Sequence, residues 1–199
     1  REIADSLDIL LVLGGDGTIL STARFIYGSS INLFGINIGH LGFLSSCELK
    51  NFEVFFQKWI TKEYTINERM LLKCQINGED SFALNDIIIS RGTFSSILRL
   101  EIYVDDSYYT SYSADGIIIS TPTGSTAYSL SAGGPIIYPE LESLCITPIC
   151  PHANMFRSIV LDGDKKISIK FKEAVQNSYI SLDGQKAVLK DMFLQRESI

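Results

Sequence analysis

A chain of 199 residues is long enough to bury one large or two small cores, and 46% hydrophobic with 11% aromatic residues is the composition of a globular protein rather than a disordered one. Its net charge of −6 argues against a broad nucleic-acid surface, although glycine turns and Mg²⁺ can still supply a local field for an anionic nucleotide. No apolar run approaches the roughly 20 residues that span a bilayer, and no stretch reads as a signal peptide, so no membrane partner is expected.

Residues 1–6 read as the end of a helix or a loop. The chain starts at Arg1, already at the threshold of a strand, so a βα unit is expected upstream. Residues 7–13 are an unbroken apolar run, expected as a strand central in a parallel sheet. The run stops at Gly14-Gly15-Asp16-Gly17-Thr18. Ile19, Leu20, Ala23, Ile26 and Tyr27 then recur at three- and four-residue spacing, which predicts a helix from Asp16 to Gly28. A second strand is expected over 31–36, leading into Asn37-Ile38-Gly39-His40-Leu41-Gly42-Phe43-Leu44. Ser45 and Glu48 have capping-box spacing, and the next helix carries Leu49, Phe52, Phe55, Phe56, Trp59 and Ile60 on one face, expected to be core.

From Glu68 the period changes from 3.6 to 2. Strands are expected over 70–76, 82–84, 87–90, 98–104, 107–112, 117–121, 144–149, 158–161, 167–171, 179–182 and 187–189. Turn signals separate them, among them Asn77-Gly78, Asp105-Asp106, Asp162-Gly163-Asp164 and Asp183-Gly184. The expected fold class is therefore α/β plus all-β: an incomplete Rossmann-like α/β domain over residues 1–67 and a β-sandwich over residues 68–199.

The junction at residues 14–18 is a strand, a tight turn and a helix start. Such a junction suits phosphate, because glycines let the backbone approach a ligand and the helix start offers unpaired N–H groups and a positive dipole end. Gly14, Gly15 and Thr18 are the expected phosphate turn. Asp16 is the unusual member, since a carboxylate beside phosphate repels it unless a metal bridges them or the acid does chemistry. The plainer reading of Asp16 is a helix cap. The turn has no P-loop lysine and no G-x-G-x-x-G spacing.

Four further stretches have compositions that secondary structure alone does not explain. Asn85-Asp86 precedes an isoleucine run and reads either as an Asx turn or as an amide and a carboxylate reaching a ribose or base. Ser113-Ala114-Asp115-Gly116 lies between two β runs and reads as a turn. Residues 121–135 are a dense set of hydroxyls and glycines with one aromatic, Tyr128, too long for a hairpin. Asp183-Gly184-Gln185 is most simply a turn. The four cysteines, Cys47, Cys74, Cys145 and Cys150, are scattered, and Cys145, Cys150 and His152 are poorly spaced for zinc. Buried free thiols in a reducing cytosol are expected.

The Gly-Gly-Asp-Gly-Thr turn resembles one shared by NAD kinases, diacylglycerol and sphingosine kinases and, more loosely, 6-phosphofructokinases. The order of residues 14–18, 37–44, Asn85-Asp86, Asp115-Gly116 and 121–135 resembles that of bacterial NAD kinases from residue 7 to about residue 189. The Thr-Pro-Thr-Gly-Ser-Thr-Ala-Tyr stretch at 121–128 is its most specific part. The resemblance implies transfer of phosphate from ATP, or from polyphosphate, to NAD, a divalent ion (Mg²⁺) travelling with ATP, no metal ligand assigned to the protein, and a cytoplasmic homodimer or homotetramer. It implies that Asp16 is the proton acceptor with Gly17 beside it. It implies that Phe43 lines the adenine pocket and that Asn85 and Asp86 hold a ribose. It places Asp115 near the nicotinamide end, Thr126, Ala127, Tyr128 and Ser131 in the loop that receives NAD, and Gln185 as a late contact. Ser113 and Ser96 stand where many relatives carry basic residues. Two other readings remain. A diacylglycerol-type lipid kinase shares the glycine turn but not residues 121–128, and a non-catalytic NAD-binding fragment would bind without turnover.

Overall fold

The computed structural model describes residues 7–39, 42–76, 78–92, 96–152, 157–172, 178–188 and 192–198. The chain divides into two units, residues 1–68 and 69–198. In the first, β1 (Ile9–Leu13) leads through the glycine turn into α1 (Asp16–Phe25) and on to β2 (Asn32–Asn37). A short β3 (Cys47–Glu48) follows, then one 3-10 turn and α2 (Phe52–Ile60). β1 and β2 pair in parallel, Ile9 opposite Asn32 through Leu13 opposite Ile36, and β3 adds to β2 beside Ile36 and Asn37. Ile19, Leu20 and Ala23 of α1 are buried, and so are Val12 and Ile36 of the strands.

In the sheet formed by the described residues β2 lies between β1 and β3, and Leu11 and Leu13 of β1 are exposed. Two expectations for this unit are corrected. Ser45 and Glu48 form no capping box, because Glu48 extends β3 and α2 starts later, behind Asn51. Nothing on α2 is buried. Its rings stack along the helix instead, with Phe52–Phe56 centroids 5.4 Å apart and Phe56–Trp59 centroids 5.6 Å apart. Helical period shows which face is apolar; it does not supply the layer that would cover it.

The second unit is built of strands, with one 3-10 turn and one short helical turn among the described residues. β4 (Met70–Ile76), β5 (Glu79–Ala83), β6 (Asp86–Arg91), β7 (Leu98–Val104), β8 (Ser107–Ala114) and β9 (Gly116–Ser120) come first. A 3-10 turn at Thr123–Thr126 and the single turn of α3 (Tyr128–Ser131) follow. Then come β10 (Ser143–Ile149), β11 (Ile159–Asp162), β12 (Ile167–Phe171), β13 (Ser178–Leu182), β14 (Gln185–Val188) and β15 (Met192–Ser198). They form two six-stranded sheets, ordered β11-β10-β9-β6-β13-β14 and β5-β4-β15-β12-β7-β8.

One hydrophobic cluster draws on both sheets: Ile87, Ile89, Ile117, Ile119, Leu144 and Ile146 from the first, and Leu72, Cys74, Leu98, Leu100, Ile102 and Ile167 from the second. This is a sandwich core, and the residues alternate along each strand as the pleat requires. The opposite face of the first sheet is also buried, at Ile118, Ser120, Cys145 and Thr147. There Ser129 of α3 meets Thr147, Oγ to Oγ1, at 2.9 Å, and the Cys145 thiol lies 3.5 Å from the same hydroxyl. The expected α/β plus β-sandwich class is the fold observed.

The expectation of buried thiols holds for Cys47, Cys74 and Cys145, whereas Cys150 is exposed. Burial raises the thiol pKa of Cys74 to about 12, which leaves it inert at neutral pH. Residues 1–6, Asn77 and Leu189 lie outside the described residues.

Candidate functional site

In the first unit the glycine turn delivers Asp16 to the first position of α1, behind Gly15 as N-cap. No cap hydrogen bond runs from Gly15, and the Thr18 and Ile19 N–H groups donate to the Gly15 carbonyl. Asp16 does not cap the helix. Its carboxylate reaches across to the loop after β2, where Oδ2 accepts the Phe43 N–H at 2.9 Å and Oδ1 accepts the Leu44 N–H at 3.1 Å. Gly42 makes that approach feasible, because a Cβ there would overlap the Asp16 carboxylate. The loop therefore holds the acid in one orientation. Each carboxylate oxygen keeps a further lone pair for a hydroxyl proton. The Phe43 ring is 79% exposed, so its backbone is tied to Asp16 while its face is open.

In the second unit three stretches far apart in sequence meet at the start of β6. The Asp183 carboxylate, on the turn between β13 and β14, accepts the backbone N–H groups of Leu84 (3.0 Å), Asn85 (2.8 Å) and Asp86 (3.2 Å). Thr121 donates its hydroxyl to the Leu84 carbonyl at 2.6 Å and its N–H to the Asn85 carbonyl at 2.9 Å. The Gly124 N–H in turn donates to the Thr121 hydroxyl at 3.0 Å. Gly124 packs so closely on Asn85 that a Cβ would overlap the Asn85 carbonyl oxygen. The hydroxyl-rich segment is thus bound to the Asn85-Asp86 pair rather than linking two strands loosely.

Asp86 is 4% exposed. Burial first, and then the negative charge of Asp183, raise its pKa to about 7. A buried carboxyl whose pKa is raised by desolvation and a neighbouring charge is a candidate functional group. Beyond Gly124 the segment turns outward. Thr126 and Ala127 are half-buried, and Tyr128 and Ser131 are exposed. Gln185 follows the Asp183-Gly184 turn and is exposed.

Asp115 is not part of this group. It sits at the other end of the β6–β9 ladder, where Gly116 faces Ser90, whereas Asp86 faces Ser120. Four residues of strand separate the two ends, roughly 13 Å. Asp115 pairs instead with Arg91, Nε to Oδ1 at 2.6 Å, and its backbone carbonyl accepts the Arg91 N–H at 3.0 Å. A basic residue therefore stands beside Asp115 even though position 113 is serine.

Sequence reasoning missed Asp183, Thr121 and Arg91 as site-building residues. Asp183 and Thr121 lay inside stretches already singled out, but their partners are distant, Leu84 and Asp183 being 99 residues apart. Among the described residues no group of three or more His, Cys, Asp and Glu side chains gathers as a metal-binding set.

A glycine turn with a tethered acid at a strand–helix junction, and a β-sandwich with a clamped Asn-Asp pair, define a two-unit phosphotransferase. The ATP-NAD kinase N-terminal domain matches residues 1–64 and the ATP-NAD kinase C-terminal domain matches residues 84–192. The NAD kinase of Clostridium botulinum (strain ATCC 19397 / Type A) is 48% identical over 190 residues, which cover 94% of this chain and 68% of that protein. The NAD kinase of Clostridium beijerinckii is 46% identical over 193 residues, with the same coverage of 94% and 68%. Among solved structures, yeast NADH kinase complexed with NADH superposes with a TM-score of 0.89 at 34% identity, covering 96% of this chain and 59% of that one. An NAD kinase from Archaeoglobus fulgidus in complex with ATP superposes with a TM-score of 0.85 at 27% identity, covering 97% of this chain and 76% of that one. The chain belongs to the ATP-NAD kinase family.

Proposed function

We propose that this chain carries an NAD kinase activity that moves the γ-phosphate of ATP to the adenosine ribose 2′-hydroxyl of NAD, forming NADP. The observation that carries this reading is the agreement of both family domains with both units of one chain. The named ligands of the two solved relatives, NADH and ATP, support the substrate pair. The two units are then separate domains, the first carrying the phosphate turn and the second the acceptor loops.

The ribose 2′-hydroxyl is a poor nucleophile at neutral pH. In this reading Asp16, fixed by the Phe43 and Leu44 N–H groups, accepts its proton as the oxygen attacks the γ-phosphorus and ADP leaves. Such help is worth about 10²–10⁴-fold. Gly14, Gly15, Gly17 and Thr18 provide backbone close to the phosphates, and Phe43 offers its open ring to the adenine. Asn85 and Asp86 hold the ribose hydroxyls. Thr126, Ala127, Tyr128, Ser131 and Gln185 bind the remainder of NAD, and Asp115 acts near its nicotinamide end. In this reading a divalent ion such as Mg²⁺ would arrive on the ATP phosphates as part of the substrate. The protein then binds and orients while the phosphate-bound ion neutralises charge. We place the enzyme in a reducing cytoplasm as a homo-oligomer, as the family resemblance implies. Among the described residues no helix is long and apolar enough to cross a membrane.

The test is phosphate transfer from labelled ATP, and separately from polyphosphate, to NAD, 2′-deoxy-NAD and diacylglycerol, using the full-length enzyme. NAD should be labelled. 2′-Deoxy-NAD should bind with the loss of about 0.5–1.5 kcal/mol and give no product. Label on 2′-deoxy-NAD would place the chemistry at another hydroxyl, and label on the lipid would overturn the reading.

A further inference from the structure

The carboxylate of Asp183 does more than its place in a hairpin turn requires. We propose, building on the NAD kinase reading, that Asp183 is the positioning residue of the acceptor site: it fixes the backbone of residues 84–86 so that the Asn85 amide and the Asp86 carboxylate are presented to the substrate ribose.

Residues 84–86 have six backbone polar groups, and every one has a partner. The three N–H groups donate to the Asp183 carboxylate. The Asp86 carbonyl accepts the Asp183 N–H at 3.0 Å. The remaining carbonyls, of Leu84 and Asn85, accept from Thr121. Four of the six groups therefore end on one residue. With the backbone satisfied, the Asn85 and Asp86 side chains make no hydrogen bond among the described residues and keep their donors and acceptors for a ligand. Three N–H groups converging on one carboxylate are charge-assisted bonds, roughly twice as strong as neutral ones.

The turn is built for this. Leu182 pairs with Gln185, leaving Asp183 and Gly184 as a two-residue loop with φ of 45° and 82°. Aspartate and asparagine tolerate that left-handed geometry better than other side chains with a Cβ. The position therefore accepts the residue that can reach back to three amides.

A second consequence follows from charge. Ser120, opposite Asp86 on β9, and Thr121 after it are uncharged; Asp183 on the β13–β14 turn is the charged neighbour. Its carboxylate opposes ionisation of Asp86, so the ribose hydroxyls, which donate best to the ionised form, compete with a bound proton. Removing Asp183's charge should shift that competition to lower pH.

The experiment compares full-length wild type, Asp183→Asn and Asp183→Ala. KM for NAD, KM for ATP, kcat, melting temperature and the kcat/KM profile for NAD are measured between about pH 5.5 and 8.5. Asparagine keeps the left-handed turn but not the charge or the second acceptor oxygen. We expect KM for NAD to rise at least about tenfold in Asp183→Asn and further in Asp183→Ala, while KM for ATP and kcat change less than about twofold. The rising limb of kcat/KM for NAD should move to lower pH. A merely structural role would lower melting temperature and yield without moving that limb or splitting the two KM values. Unchanged KM for NAD in Asp183→Asn, or equal rises for both substrates, overturns the proposal. If Asp183→Ala fails to fold, Asp183→Asn decides. Failure of the NAD reading is distinguishable, because wild type would then not phosphorylate NAD, and the same comparison would be made with the acceptor it does use.

Discussion

In the proposed reaction two carboxylates, Asp16 and Asp86, have the main roles, and the structure holds them in opposite ways. Asp16 has a backbone N–H on each oxygen, whereas Asp86 is buried without a donor among the described residues. For Asp16→Asn we expect turnover to fall by about two orders of magnitude or more with NAD still bound. The amide can accept only one of the two loop N–H groups, so a stability loss of about 1–3 kcal/mol should accompany it. Near-normal kcat with only that stability loss would make Asp16 a loop tether and nothing more. For Asp86 the sign is set by its raised pKa, about 7 against an ordinary 3.8. The folded state holds the proton more tightly than the unfolded chain does, so this group stabilises the fold fully below about pH 4. That contribution is lost as pH rises to 7, by an amount on the order of 4 kcal/mol. Asp86→Asn should therefore match wild type at low pH and exceed it at pH 8 in urea unfolding. Parallel pH curves for the two proteins would show that Asp86 ionises freely.

At the scale of elements, the hydroxyl-rich segment is organised by what lies beneath it. Ser129 of α3 is fully buried against Thr147 of β10, while Tyr128 beside it is 45% exposed. One side of a single helical turn is thus anchored and the adjacent residue is free to meet a ligand. Thr147→Val keeps the volume and leaves the Ser129 hydroxyl only the weakly bonding Cys145 thiol, so it should cost about 1–3 kcal/mol and raise KM for NAD. Combining it with Ser129→Ala removes both partners and should recover much of the stability. If the double variant loses the sum of the single losses, the hydroxyl pair does not act as a unit.

For the molecule as a whole, what was legible in the sequence was what depends on short range. Alternation placed β7 and β12 at Leu98–Val104 and Ile167–Phe171, the same bounds as in the structure, and the acid-rich turns fell where the strands reverse. β15 was missed because the polar end of Met192–Ser198 reads as a tail until β4 pairs with it from 120 or so residues away. The same limit hid the clamp on residues 84–86 and misjudged α2, since no local pattern records which distant group arrives. The sandwich core is the clearest case of a long-range outcome built from local alternation. Ile119 is fully buried between the sheets and joins the cluster shared by both. Val160, on edge strand β11 of the same sheet, is half exposed. Ile119→Ala should lower unfolding free energy by about 2–5 kcal/mol, because the lost methylenes leave a cavity that strands of two sheets cannot close. Val160→Ala should stay within about 0.5 kcal/mol of wild type. Urea unfolding of both variants at one pH tests the pair, and equal losses would mean that the two sheets do not share the core assigned to them.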